Sequence, residues 1–425
     1  MTQPEIPAVS DFGSLSIPPV TIVDFAPGVT LHLLDNGSCE ANRVSVYLSR
    51  GTAATDCAGA PAIMPALLRE GCATMSGADI AETIDFNGAF ITAIAQPHFS
   101  GLSLISLNET TRELLPLVGD MLLTPAFPDK AVENALRKVV MDRRLNLTKP
   151  SYIASQAIAT AMKGKAHPYM LPTPLPVIEG TCRDDIVRAH SLARQTPVHI
   201  FAAGRLSDKI VNAVEELATR LKPEDTSATV AVVPLTPGIP SDSIIDSATA
   251  AMQGAVACGI PAIGRNHPDY DELRHTVVAL GGYFGSRLMT SIREEKGLTY
   301  GISAALFGSQ EGAFVQISAQ CDNAYSAQVV DEIRHELRRL ATEPMPDDQL
   351  RRVRADITSG LAARLDSPFS LIDYYETNLM VGIGDGYFER QFDTISRLTP
   401  QRLMHIAAKY LDPGRLSTVV VRKQP

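Results

Sequence analysis

Apolar and polar positions alternate along this chain with two periods, and those periods come in the same order in each half. In the first half, "GADIAETIDFNG" has helical spacing and ends on Asn87-Gly88, a pair suited to a left-handed helix stop. Two runs of strand-like alternation follow, "AFITAIAQ" and "FSGLSLISL", joined through Pro97-His98. A helix then starts at Asn108 as its cap, "TPAFPD" breaks it, and "KAVENALRKVVMDRRLNL" reads as a long helix.

The second half repeats this layout. "SRLMTSIREEKG" is the first helix with Gly297 as its stop, and "TYGISAALFG" and "GAFVQISAQ" are the strands. "DNAYSAQVVDEIRHELRRL" opens at Asp322 or Asn323, "TEPMPDD" breaks it, and "QLRRVRADITSGLAARL" is the long helix. Leading strands are expected at "TIVDFAPGVTLHLLDN" and "RVSVYLSRG" in the first half and at "ATVAVVPL" in the second. The pattern predicts an α+β fold of two homologous domains, each a mainly antiparallel sheet packed with helices, because the strands come in hairpins. The divisions are a tail over 1–18, a first domain over 19–221, a polar linker over 222–228 and a second domain over 229–425.

Composition narrows the function classes. A net charge of -9 over 425 residues argues against a nucleic-acid surface. No apolar run approaches the ~18 residues needed to span a bilayer. Six scattered cysteines without a C-x-x-C pair read as reduced thiols, so the cytoplasm is expected, or the periplasm if a signal segment has been trimmed. No two of the nine histidines are three to five residues apart, so no helical His pair can hold zinc. There is no G-x-S-x-G elbow and no P-loop, and "GIGDGY" reads as a loop after a helix. His98 and His167 lie in loops and suit hydrogen-bonded structural roles.

Arg293 and Tyr300 straddle the Gly297 stop. Phe284, Leu288, Met289 and Ile292 form the apolar stripe of the helix, with Arg293 at its edge, and Tyr300 shares a strand phase with Leu298, Ile302, Ala304 and Leu306. Two readings fit this placement. Arg293 snorkels and Tyr300 packs, or both donate hydrogen bonds to a carbonyl or a developing oxyanion.

"GGYFGSRLMTSIREEKGLTYGISA" resembles the signature of pitrilysin-type zinc peptidases, the family of the mitochondrial processing peptidases and their bacterial homologues. The likeness extends over nearly the whole chain, through "REGCATMSGADIAETIDFNGAFITA", "LTPAFPDKAVENALRKVVMD", "AHPYMLP" and "SRLTPQRLMHIAAKYLDPGRLSTVVV". The resemblance implies half of a clamp in which Arg293 and Tyr300 reach from the second domain toward a zinc site in a first domain. It also places the family's His-x-x-Glu-His positions on Ala62, Pro65 and Ala66, and the third ligand on Arg143, beside Asp142. Alanine cannot ligate, proline cannot act as a general base, and a cation opposes a divalent metal. Pro65 is expected to kink the helix or re-set its start.

No metal or other cofactor is therefore expected in this chain, and zinc only in a catalytic partner. The implied function is the non-catalytic, substrate-positioning subunit of a peptide-degrading or processing metallopeptidase. A homologous zinc-bearing subunit would supply the metal and general base; Tyr300 would stabilise the tetrahedral oxyanion, and Arg293 would orient the backbone of an extended peptide. The peptide would add to an edge strand near Gly88 to Ala95. The alternatives are a homodimeric peptide-binding scaffold without proteolysis and a metallopeptidase with unorthodox ligands.

Overall fold

The computed structural model describes residues 16–250, 253–384 and 386–423. Most of the tail expected over 1–18 lies outside the described residues. Two sheets organise the chain. The first contains β1 (Thr21–Ala26), β2 (Val29–Asp35), β3 (Ala41–Leu48), β4 (Phe90–Ala95), β5 (Ser100–Leu107) and β6 (Val198–Gly204), in the order β1-β2-β6-β3-β5-β4. The second contains β7 (Asp242–Asp246), β8 (Gly254–Ala262), β9 (Thr299–Ser309), β10 (Gly312–Cys321) and β11 (Ser417–Arg422), in the order β9-β10-β8-β11-β7. Each sheet has one parallel pair, β2 with β6 and β7 with β11; the rest is antiparallel. The α+β architecture thus stands. β4 and β9 are outermost strands and present unpaired backbone groups on their outer side.

Helices cover one face of each sheet. In the first domain these include α1 (Ala60–Leu67), α2 (Gly77–Phe86), α3 (Asn108–Leu123) and α4 (Asp129–Asn146), which pack through Ile63, Met64, Ile80, Leu114 and Val118 onto Val44, Val46 and Leu104. In the second domain, α5 (Met289–Glu295), α6 (Ser326–Thr342) and α7 (Asp347–Ala362) bury Ile292, Ile333, Leu337 and Val353 against Val256, Val315 and Ile317. α5 is wound as a π-helix rather than an α-helix. Among the described residues no helix is long and apolar enough to cross a membrane.

The opposite faces are covered by exchange. Helix Pro150–Lys163, from the first half, lays Ala154 and Ile158 on Ala255, Ala257, Val419 and Val421 of the second sheet. Helix Pro368–Met380, from the second half, lays Leu371 and Ile372 on Leu34, Tyr47, Phe99 and Phe201 of the first. Arg43 of β3 bridges this second contact, donating to Glu376 at 2.7 Å and also to Asp373. Each sheet therefore depends on the other half of the chain for one of its faces.

Two local expectations fail, and one alternative of a third. "ATVAVVPL" is not a strand: residues 222–241 contain neither helix nor strand, and the leading strand is β7. Leu107, not Asn108, is the N-cap of α3; the Asn108 amide instead donates to the Cys39 carbonyl at 2.8 Å. Pro65 does not start α1. The helix begins at Ala60, and Pro65 is buried inside it.

Candidate functional site

The site residues hang on the link between α5 and β9. Gly297 adopts φ +63, which frees the chain to turn where a side chain would strain it. Its N–H donates to the Arg293 carbonyl at 3.2 Å and the Leu298 N–H to the Ile292 carbonyl at 3.0 Å, closing the helix end. Glu332 of α6 holds α5 from behind, accepting from the Ser291 hydroxyl at 2.7 Å and from Lys296. Leu288, Met289 and Ile292 are buried as the spacing predicts, but Phe284 is not; it is 65% exposed and lies before the helix. Its ring has a different partner, the Arg293 guanidinium 4.8 Å from its centroid.

Tyr300 does not share the buried phase of β9. It is 88% exposed, whereas Ile302 and Ala304 are buried. The cause is a β-bulge: Thr299 pairs with Cys321 and Gly301 with Gln320, leaving Tyr300 as the extra residue. The Thr299 side chain fastens the bulge, its hydroxyl donating to the Gln320 carbonyl at 2.5 Å while accepting from the Gly301 N–H at 3.1 Å. An alternation count cannot register an extra residue, so it assigns Tyr300 to the wrong face.

The phenol stands over a cleft of about 610 Å³ between the start of helix Pro150–Lys163 and the outer strands of the second sheet. Met289, one turn before Arg293, lines the same cleft; Arg293 is not among its lining residues. Arg293 is about a third exposed, and among the described residues its one carboxylate contact is the neighbouring Glu294, at 4.0 Å. Both residues thus have hydrogen-bonding capacity directed to solvent rather than spent on the fold.

The positions assigned to a zinc motif tell the opposite story. Ala62 and Ala66 lie one turn apart on the exposed face of α1, while Pro65 faces the core. Arg143 continues the inward stripe of α4 after Val132, Leu136 and Val139. Its guanidinium donates to the Tyr152 hydroxyl at 2.6 Å. Two methyl groups, a pyrrolidine ring and a cation provide no ligand, so these residues do not fit a catalytic zinc ion. Elsewhere, Glu332, His335 and Glu336 bring ligand-type atoms within 4.8 Å of one another, but Lys296 and Arg339 already neutralise the two carboxylates. His98 and His167 have structural partners: Glu311 at 2.5 Å and the Val233 carbonyl at 2.8 Å.

Sequence and structure comparisons place the chain among proteins of similar fold. Residues 194–357 match the family profile described as the peptidase M16 inactive domain. A Bacillus subtilis protein described as the uncharacterized zinc protease YmxG is 20% identical over 347 residues, spanning 80% of this chain and 83% of its own length. A peptidase M16 inactive-domain structure from Pseudomonas fluorescens superposes with TM-score 0.85 at 19% identity, over 96% of this chain and all of that one. The periplasmic protease PqqL from Escherichia coli superposes with TM-score 0.79 at 13% identity, over 98% of this chain and 48% of its own. Residues 194–357 are thus similar to the peptidase M16 inactive domain, and nearly the whole chain shares its fold with the M16-type structures on which it superposes.

Proposed function

We propose that this chain is the substrate-positioning subunit of a two-chain metallopeptidase. A homologous sister subunit would carry the zinc and the general base. The observation that supports this reading most is the exposed, bulge-borne Tyr300 over a cleft, in a chain whose own α1 offers only Ala62, Pro65 and Ala66. An exposed tyrosine fastened by its own bulge serves poorly as packing and well as a donor to something outside the fold. On this reading the Tyr300 hydroxyl donates to the oxyanion that forms on a scissile peptide carbonyl. Arg293, held over Phe284, donates to a backbone carbonyl of the same extended peptide. Outermost strand β4, within the segment expected from the sequence, is the proposed place for that peptide to add as a further strand.

The test is reconstitution. The purified chain is expected to hold no stoichiometric zinc and to cleave no peptide. Mixing with a sister chain that carries His-x-x-Glu-His is expected to produce chelator-sensitive cleavage that depends on both chains. Chelator-sensitive cleavage by this chain alone would overturn the proposal. A stable homodimer that binds peptides, with no response to any sister chain, would favour the scaffold reading instead.

A further inference from the structure

The cleft beneath Tyr300 is built differently from the surface around it. A fifth of the residues in this protein are charged, yet no Asp, Glu, Lys or Arg lines this cleft among the described residues. Its polar groups are all hydroxyls and carboxamides. The change begins where helix Pro150–Lys163 ends its cover of the second sheet. Beneath the helix the sheet presents Ala255, Ala257, Val419 and Val421. On β10, next to outermost β9, the same kind of alternation presents Ser318 and Gln320 to the cleft, and β9 adds Ser303.

Part of this polar wall is fixed. Gln316, itself outside the lining, donates from its amide to two lining serines, Ser155 of the helix at 3.2 Å and Ser318 at 3.0 Å, tying the first half of the chain to the second. The rest is free: Ser151, Ser303, Gln253 and Gln320 line the cleft without a side-chain hydrogen bond among the described residues. Rigid, neutral donors and acceptors beside unspent ones make a pocket suited to hydrogen-bonding with an uncharged group. The same wall gives a carboxylate or an ammonium no counter-charge to offset its lost hydration.

We propose that this cleft is a specificity subsite taking an uncharged, hydrogen-bonding side chain (Gln, Asn, Ser or Thr) of the peptide whose carbonyl Tyr300 contacts. The inference rests on the substrate-positioning reading. It adds that one subsite lies wholly within this chain and uses both its halves, with Ser151 and Ser155 from the first and Ser303, Ser318 and Gln320 from the second. The selectivity is set by the chemistry of the wall. A single carboxylate introduced there converts it to a cation site.

The experiment uses the full-length chain and three fluorescein-labelled alanine-rich decapeptides carrying one central Gln, Asp or Lys, read by fluorescence anisotropy. The wild-type chain is expected to bind the Gln peptide at least about fivefold more tightly than the other two. Ser155→Asp and, separately, Ser318→Asp are expected to raise affinity for the Lys peptide about tenfold relative to the Gln peptide. Ser38→Asp, in an exposed turn of the first domain, is expected to leave the ranking unchanged. Two independent cleft variants guard against one of them misfolding. Equal binding of all three peptides by the wild type, or a Lys preference that fails to rise in both cleft variants, overturns the subsite while leaving the positioning role standing. No binding of any peptide, together with no loss of reconstituted cleavage in Tyr300→Phe, overturns both.

Discussion

The two site-bearing regions share a layout and differ in what they expose. Each has a helix stopped by a left-handed glycine, Gly88 or Gly297, leading into an outermost strand, β4 or β9. In the first domain, helix α1, one helix before the one that Gly88 stops, exposes only methyl groups, Ala62 and Ala66. In the second, the exposed positions are a guanidinium and a phenol, Arg293 and Tyr300. Packing constrains none of these four side chains as it does a core residue, so their chemistry is free to differ between the two regions. Alanine favours a helix and can do nothing else there. A tyrosine 88% exposed on a fastened bulge buries almost nothing in this chain and leaves its hydroxyl open to a contact outside it.

The sharpest way to break this contrast is to restore the missing chemistry. The quadruple variant A62H/P65E/A66H/R143E is expected to bind stoichiometric zinc by elemental analysis, and the wild type to bind none. Failure would show that the backbone around α1 has diverged along with its side chains. Next in size is the reverse change. In the reconstituted peptidase, Tyr300→Phe should lower kcat by about 10²–10³-fold, the usual loss for one oxyanion donor, with little change in KM. Unchanged kcat would leave Tyr300 without the role that separates the two domains.

A smaller effect tests the second domain's core. His275 of the helix Tyr270–Val277 is completely buried, and neither ring nitrogen has a partner among the described residues. Burial, reinforced by Arg274, pushes its pKa down to about 3. The unfolded chain takes up this proton near pH 6.5, so His275 costs nothing above that value and destabilises the fold as pH falls below it. The slope approaches about 1.4 kcal/mol per pH unit. His275→Phe should therefore lose less stability between pH 7 and pH 5 than the wild type in urea titrations; parallel losses would refute the assignment. Smallest is Phe284→Leu. Removing an exposed cation–π contact of about 0.5–1 kcal/mol should reduce reconstituted kcat/KM about two- to fivefold, and Phe284→Tyr should restore it. If Leu and Tyr behave alike, Phe284 does not position Arg293.

Much of this was legible without coordinates. The hairpins β4–β5 and β9–β10 and the helices α2, α3, α4, α6 and α7 follow from periodicity and from Gly and Pro punctuation, because each is a local pattern. So does the segment carrying Arg293 and Tyr300. Its details did not. Helical spacing from Leu288, Met289 and Ile292 puts Phe284 in the buried stripe, and even spacing from Leu298 and Ile302 puts Tyr300 in the buried phase; the structure exposes both. "ATVAVVPL" reads as a strand by propensity, but it finds no sheet edge to pair with and runs as an uncovered connection.

By itself, then, the sequence determined the element order, the α+β class, the family resemblance and the loss of metal ligands at Ala62, Pro65, Ala66 and Arg143. These depend on residue identity and on spacing within one element. Tertiary structure decided which face Tyr300 takes, that Arg293 rests on Phe284, and that a helix from each half covers the other half's sheet. It also assembled the uncharged cleft from Ser151, Ser155, Ser303 and Ser318. The physical reason is common to all of these. A bulge is set by pairing between strands, and a pocket wall by segments more than a hundred residues apart, so neither leaves a periodic trace along the chain.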